Sequence, residues 1–332
     1  MIRTKLCERM GIRLPIVQAP IGGISTPQLA AAVSNAGGLG MLSLTWRTEE
    51  EARSLLRETL ALTQKPFGVN FVLAWDPASK LEICFAEGVK IFSFFWGDST
   101  GYVQRVHAAG GIVMHTVGSA AEAMPCAHAG VDVIVAQGWE AGGHVWGEVT
   151  TMALVPRVVD AVAPVPVIAA GGIADGRGLA AALALGAQAA MLGTRFVAAD
   201  EANSHMVYRR TLIAASETST VHTELFDGGW ERARHRVIKN STYACWEKSG
   251  RPAVGKRPGE GEIVSRTRVG KEIPRYHSNA PIIALDGNPD EQALYAGQGV
   301  GLIRECKPAA QIVSDIVAEA EAAVRSLQAL VG

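Results

Sequence analysis

Eight short apolar runs, each followed by a segment with helix punctuation, fill residues 15–197, and this rhythm leaves few folds open to the chain. The predicted strands are Ile16–Gln18, Leu39–Leu42, Phe67–Phe71, Ile91–Phe95, Gly111–His115, Val131–Ala136, Val165–Ala169 and Ala189–Leu192. Several are apolar without strict alternation, as strands covered on both faces of a parallel sheet are. Between the first two runs, Ser25-Thr26-Pro27-Gln28 offers a capping hydroxyl and a first-turn proline, and Gly37-Gly38 ends the helix. Later, Asp175 precedes an alanine- and leucine-rich helix that stops at Gly186. Eight β-then-α units in about 180 residues predict an α/β fold of the closed (β/α)8 TIM-barrel type rather than an open doubly wound sheet.

The chain has 332 residues and is 48% hydrophobic, enough for a large core without staples. Barrels of this kind run to about 250 residues, so an appendage is expected. The βα rhythm stops near residue 200, and 203–277 is richer in charge and aromatics. The expected division is a barrel of 1–204 and 276–332 with a small, mainly helical cap at 205–275. Within it, the Gly-, Pro- and charge-dense stretch Lys248–Glu262 predicts an excursion that is mobile or pairs with another part of the molecule. Apolar residues at Ile312, Val313, Ile316, Val317, Val324, Leu327 and Leu330 predict an amphipathic helix packed on the barrel.

Thirty-one basic and 32 acidic residues leave a net charge of −1 with no basic run, so nucleic acid is not an expected partner. The charged N-terminus lacks a signal-peptide core, and no apolar run reaches membrane-spanning length. Five scattered cysteines give neither a disulfide framework nor metal spacing. The expectation is a soluble, cytoplasmic protein without a metal.

The strongest chemical signal is Val167-Ile-Ala-Ala-Gly-Gly-Ile-Ala-Asp175 followed by Ala189-Ala-Met-Leu-Gly-Thr-Arg-Phe196. In each, a strand runs into a glycine turn, at Gly171-Gly172 and at Gly193-Thr194, where amides can approach an anion. After strands seven and eight, such turns hold a phosphate in barrels of this type. A second signal, Gln137-Gly-Trp-Glu-Ala-Gly-Gly-His144, follows strand six. It puts the Gln137 amide at the active face, permits close backbone approach at Gly142 and Gly143, and ends on a histidine suited to proton transfer. His107, His115 and His128 lack that context and read as structural. Asn70, at the top of strand three, serves a heterocycle edge or ties a loop.

Taken together, these segments resemble the nitronate monooxygenase family, formerly 2-nitropropane dioxygenases. The resemblance rests on Pro15-Ile-Val-Gln-Ala-Pro20, Asn35-Ala-Gly-Gly-Leu-Gly40, Pro66-Phe-Gly-Val-Asn70, Gln137–His144, Ala170–Arg177, Leu192–Phe196 and Tyr295-Ala-Gly-Gln-Gly-Val-Gly-Leu302. It implies a flavin mononucleotide (FMN) barrel. Ala19, Pro20, Ile21 and Asn70 would meet the flavin ring, while Gln137, Gly142 and Gly143 would flank it. Gly171, Gly172, Gly193 and Thr194 would bind its phosphate, and Tyr295, Gln298 and Gly299 would close over it. His144 matches the family's catalytic histidine, as base toward a nitroalkane or, when protonated, as counter-charge to a nitronate. The implied reaction converts alkyl nitronates and O2 to carbonyl compounds and nitrite; a homodimer is compatible with it. Two rival readings stand beside it. One is an FMN-dependent NAD(P)H reductase of the same superfamily, acting on enoyl-acyl-carrier protein or quinone. The other is a non-catalytic binder of a phosphate-bearing ligand.

Overall fold

The computed structural model describes residues 2–330. Eight parallel strands, Ile16–Gln18, Gly40–Ser43, Phe67–Val72, Ile91–Phe95, Ile112–Val117, Val133–Gln137, Val167–Ala170 and Ala189–Leu192, follow one another in spatial order. The first also pairs with the eighth, Val17 lying opposite Met191. The remaining seam is closed by Gln18 N–H donating to the Leu39 carbonyl (2.9 Å) and Leu39 N–H to that of Ile16 (2.8 Å). The buried Gln18 side chain reinforces this seam, its Oε1 accepting from the Met41 amide at 2.8 Å. The expected (β/α)8 barrel is the observed one.

The pleat sorts the strand residues into two layers. Val17, Met41, Ile91, Met114, Val133, Val135, Ile168 and Met191 form the barrel interior. Leu6, Cys7 and Met10 of the helix Lys5–Met10 belong to the same cluster and plug one end. The alternate residues, such as Val69, Phe92, Val113 and Ile134, pack outward against the helices. Strand burial on both faces explains why the sequence shows apolar runs rather than a two-residue pattern.

Helix boundaries follow local chemistry. Thr26 accepts from the Leu29 amide at 2.9 Å, Pro27 opens the helix Pro27–Ala36, and Gly37 ends it at φ 104°. Asp175 caps Gly176–Ala184 in the same way. The C-terminal helix Ala309–Gln328 buries Ile312, Val313 and Ile316 against the helices Pro27–Ala36 and Gly176–Ala184. Its apolar stripe does not extend to Leu327 and Leu330, which are exposed.

The segment 205–275 is mixed rather than mainly helical. It holds two helices, Met206–Ala214 and Ser241–Lys248, and four short strands. Thr220–Thr223 pairs with His235–Ile238, which pairs in turn with Gly143–His144 from the barrel. A second antiparallel sheet joins Ile263–Thr267 to Glu272–Pro274 and to Leu285–Gly287, a strand beyond the expected limit at 275. Such pairings between distant segments leave no helix-like period in the sequence. The stretch 248–262 is pinned: Arg257 pairs with Asp227 and Glu260 and lies over the Tyr276 ring. Among the described residues no helix is long and apolar enough to cross a membrane.

Candidate active site

The carboxyl ends of the strands open into a cavity of about 690 Å3, within the range of cofactor and small-molecule sites. Its floor is the top inward layer of the barrel. Ser43, Asn70, Ser93, Thr116 and Gln137 point there, above the apolar interior. Asn70 is 5% exposed, and no hydrogen bond from its side chain is found among the described residues. Its amide is open to the cavity rather than sealed in the core, so this layer offers partners to a ligand with polar edges.

One wall is built where three glycine segments cross. A Cβ on Gly142 would sit 2.3 Å from the Gly297 nitrogen, and one on Gly299 would sit 2.7 Å from the Gly172 carbonyl oxygen. Gly171 takes φ 103°, a region an L side chain resists, and its carbonyl accepts from Thr151 Oγ1 at 2.9 Å. The Thr151 amide and hydroxyl both donate to Glu140 Oε2 (2.8 and 3.0 Å), while Thr194 Oγ1 accepts from the Gly297 amide at 3.0 Å. The turns at Gly171-Gly172 and Gly193-Thr194 are thereby held side by side under the C-terminal segment, all four residues lining the cavity.

His144 enters from the rim. Its backbone is fixed twice: its carbonyl accepts from Gln137 Nε2 at 3.2 Å, and it pairs with His235 in the cap sheet. The imidazole stacks on Trp230 (ring centroids 4.0 Å, 28°), with Tyr295 at 5.4 Å and Trp96 edge-on at 6.0 Å. Nε2 is buried and has no hydrogen-bond partner. Burial, helped by repulsion from His235, holds the pKa well below 6.5, so the resting ring is neutral. The resting ring is thus placed to accept a proton rather than to carry one.

His235 is also neutral, its pKa lowered to about 4 chiefly by burial. Its Nδ1 lies 2.7 Å from the Ala233 carbonyl and its Nε2 accepts from the Phe226 amide, a structural arrangement that fixes one tautomer. His115 faces outward from the fifth strand, away from the cavity.

Of the residues singled out from sequence, Ala19, Pro20, Ile21, Asn70, Gln137, Gly142, Gly143 and His144 line this one cavity, as do Tyr295 and Gly299. Gln298 does not; its amide donates to the Glu140 carbonyl at 2.9 Å. The sequence reading did not reach Ser43, Ser93, Thr116 or the tryptophans. The three small polar residues carry a signal, since each lies two positions beyond an inward Met41, Ile91 or Met114. Nothing local marks Trp230 as a neighbour of His144.

Fold and comparisons put the chain among oxidoreductases built on an α/β barrel. A family model described as nitronate monooxygenase matches residues 3–81 and 74–319, and the chain belongs to that family. A Mycobacterium tuberculosis relative named (3aS,4S,5R,7aS)-5-hydroxy-7a-methyl-1-oxo-octahydro-1H-indene-4-carboxyl-CoA dehydrogenase is 33% identical over 99% of both chains. A nitronate monooxygenase of Paraburkholderia phytofirmans is 35% identical, over 97% of this chain and 96% of its own. The solved structure of FabK from Thermotoga maritima superposes with a TM-score of 0.83 at 35% identity, covering 99% of this chain and 100% of that one.

Proposed function

We propose that this protein is an FMN-dependent nitronate monooxygenase, oxidising alkyl nitronates with O2 to carbonyl compounds and nitrite. The observation that carries the reading is that the buried, weakly basic imidazole of His144 lines the same cavity as the glycine turns after strands seven and eight. The residues present fit a phosphorylated flavin. Gly171, Gly172, Gly193 and Thr194 would hold its phosphate, where added side chains at Gly171 or at the neighbouring Gly142 and Gly299 would collide with backbone. Asn70, with Ala19–Ile21, would meet the ring, and Tyr295 and Gly299 would close the far side. When bound, FMN supplies electron acceptance and transfer to dioxygen, which the protein's own side chains cannot.

The chain's residues bind and orient the substrate and handle its proton. A nitroalkane beside His144 would lose its α-proton to the imidazole. The nitronate and imidazolium formed would stabilise each other in a site that excludes water. Trp230, Tyr295 and the cap sheet supply that exclusion, and Gln137 holds the loop that presents the ring.

A second reading is favoured by one observation. The lining of the cavity includes His144 and also Thr267, Val269 and Lys271 at the hairpin turn of the second cap sheet, farther than a few-atom nitronate needs. Together with the carboxyl-CoA dehydrogenase relative, this supports an FMN-dependent dehydrogenase or NAD(P)H reductase of a thioester-borne substrate. Oxygen uptake with nitrite release from ethylnitronate is expected for the monooxygenase, and the same release from neutral nitroethane should be abolished in His144→Gln, which removes the base. Anaerobic bleaching of the flavin by NADH, with no nitrite from any nitronate, would overturn it in favour of the second reading.

A further inference from the structure

Five of the seven tryptophans form one cluster, in which Trp46 and Trp230 line the cavity and Trp230 comes from the cap. Trp230 lies on the loop between the strands Thr220–Thr223 and His235–Ile238. That loop is tied to the segment after Pro274: the Gly228 amide donates to the Tyr276 carbonyl at 3.0 Å, and the Ser278 amide to that of Gly228 at 2.9 Å. The indole descends into a socket offered by the barrel. Trp75 and Trp96, after strands three and four, meet it at 5.0 Å each, and Trp46, after strand two, at 5.8 Å. These edge-on and tilted geometries are the favourable ones for aromatic pairs.

The socket is anchored through Trp96 and Trp146, while Trp46 at its rim is 50% exposed. Trp96 takes φ 61°, unusual for a non-glycine residue, and presents its ring to both Trp230 and Trp146. Trp146 Nε1 donates to Glu122 Oε2 at 2.9 Å, which fixes the far side. Trp230 is 8% exposed, and its free face lies on the imidazole of His144.

We propose that Trp230 is the positioning residue for His144: seated among Trp46, Trp75 and Trp96, it sets the imidazole plane and excludes water from the buried Nε2 edge of the ring. This makes correct placement of His144 depend on the cap being seated on the barrel. The inference rests on the reading of His144 as the proton-handling group, and its test is chosen so that the two can fail separately. The titratable groups around His144 are His235 and Tyr295. Arg47, Glu51, Lys271 and His277 line the same cavity. None of these is altered in the variants below, so a change in His144 titration reports on Trp230.

The experiment uses the flavin-loaded protein with labelled histidine, following ring resonances by NMR across pH. His144→Gln identifies the His144 signals by their disappearance. In the parent and in Trp230→Phe, which retains a flat face, His144 should stay neutral until well below pH 6.5. In Trp230→Ala its midpoint should climb toward 6.5, with kcat on a small neutral nitroalkane falling about 10–100-fold and KM little changed. Trp230→Leu, which keeps apolar bulk without a ring, should show the same upward shift and serves if the alanine variant does not fold. An unshifted midpoint in either variant would overturn the proposal and reduce Trp230 to packing. If the parent shows no nitronate turnover while the midpoint still shifts, the activity reading fails and the positioning role stands.

Discussion

His115 offers a quantitative test of how the histidines divide between structure and chemistry. It is 4% exposed, its Nδ1 has no partner, and burial lowers its pKa from 6.5 to about 4, against a smaller opposing pull from Asp98 and Glu122. The folded-state pKa lies below the unfolded one, so the unfolded chain binds the extra proton. Stability from this group is complete above about pH 6.5 and is lost as pH falls toward 4. A shift of this size corresponds to roughly 3 kcal/mol in full, of which about 2 kcal/mol is lost by pH 5. Replacing His115 with Met keeps an apolar filler between Phe94 and Ile134, its neighbours across the sheet, and removes the titration. Urea unfolding at pH 7.5 and pH 5 should show a pH-dependent loss about 2 kcal/mol smaller in His115→Met than in the parent. Flavin content and turnover at pH 7.5 should match the parent. An identical loss in both proteins would refute the assignment of a buried neutral His115.

Gly142→Ala would drive a methyl into the backbone at Ala296 and Gly297. It should cost about 1–3 kcal/mol in thermal or urea unfolding and release the flavin on gel filtration. Thr151→Ala removes the hydroxyl shared by Gly171 and Glu140. A loss of about 1 kcal/mol is expected, read as roughly fivefold weaker FMN binding in fluorescence titration of the flavin-stripped protein. Unchanged affinity would detach Thr151 from the phosphate turns.

The barrel is legible because its strands are buried on both faces. Ile91–Phe95 and Ala189–Leu192 have the limits read from sequence, while Val131–Ala136 and Val165–Ala169 start two residues early. There the apolar run continues into the helix–strand turn, ahead of the hydrogen-bonded ladder. The glycine turns are legible because a backbone that must approach closely excludes side chains, as at Gly142 and Gly171. Ser93 was passed over because one small polar residue between phenylalanines looks like tolerated noise until the inward direction of Ile91 is known. The cap sheet was misread for a non-local reason. His235–Ile238 is held partly by Gly143–His144, some ninety residues earlier, and no window of sequence contains both. The same distance hid Trp230 from His144, although the aromatic enrichment of that region was visible.

The visible spectrum of the purified protein, read together with the released flavin, tests the FMN-bearing barrel most directly. A yellow protein with flavin absorption bands and about one FMN per chain is the predicted result. A protein that stays colourless after incubation with FMN, while still folded, would contradict it.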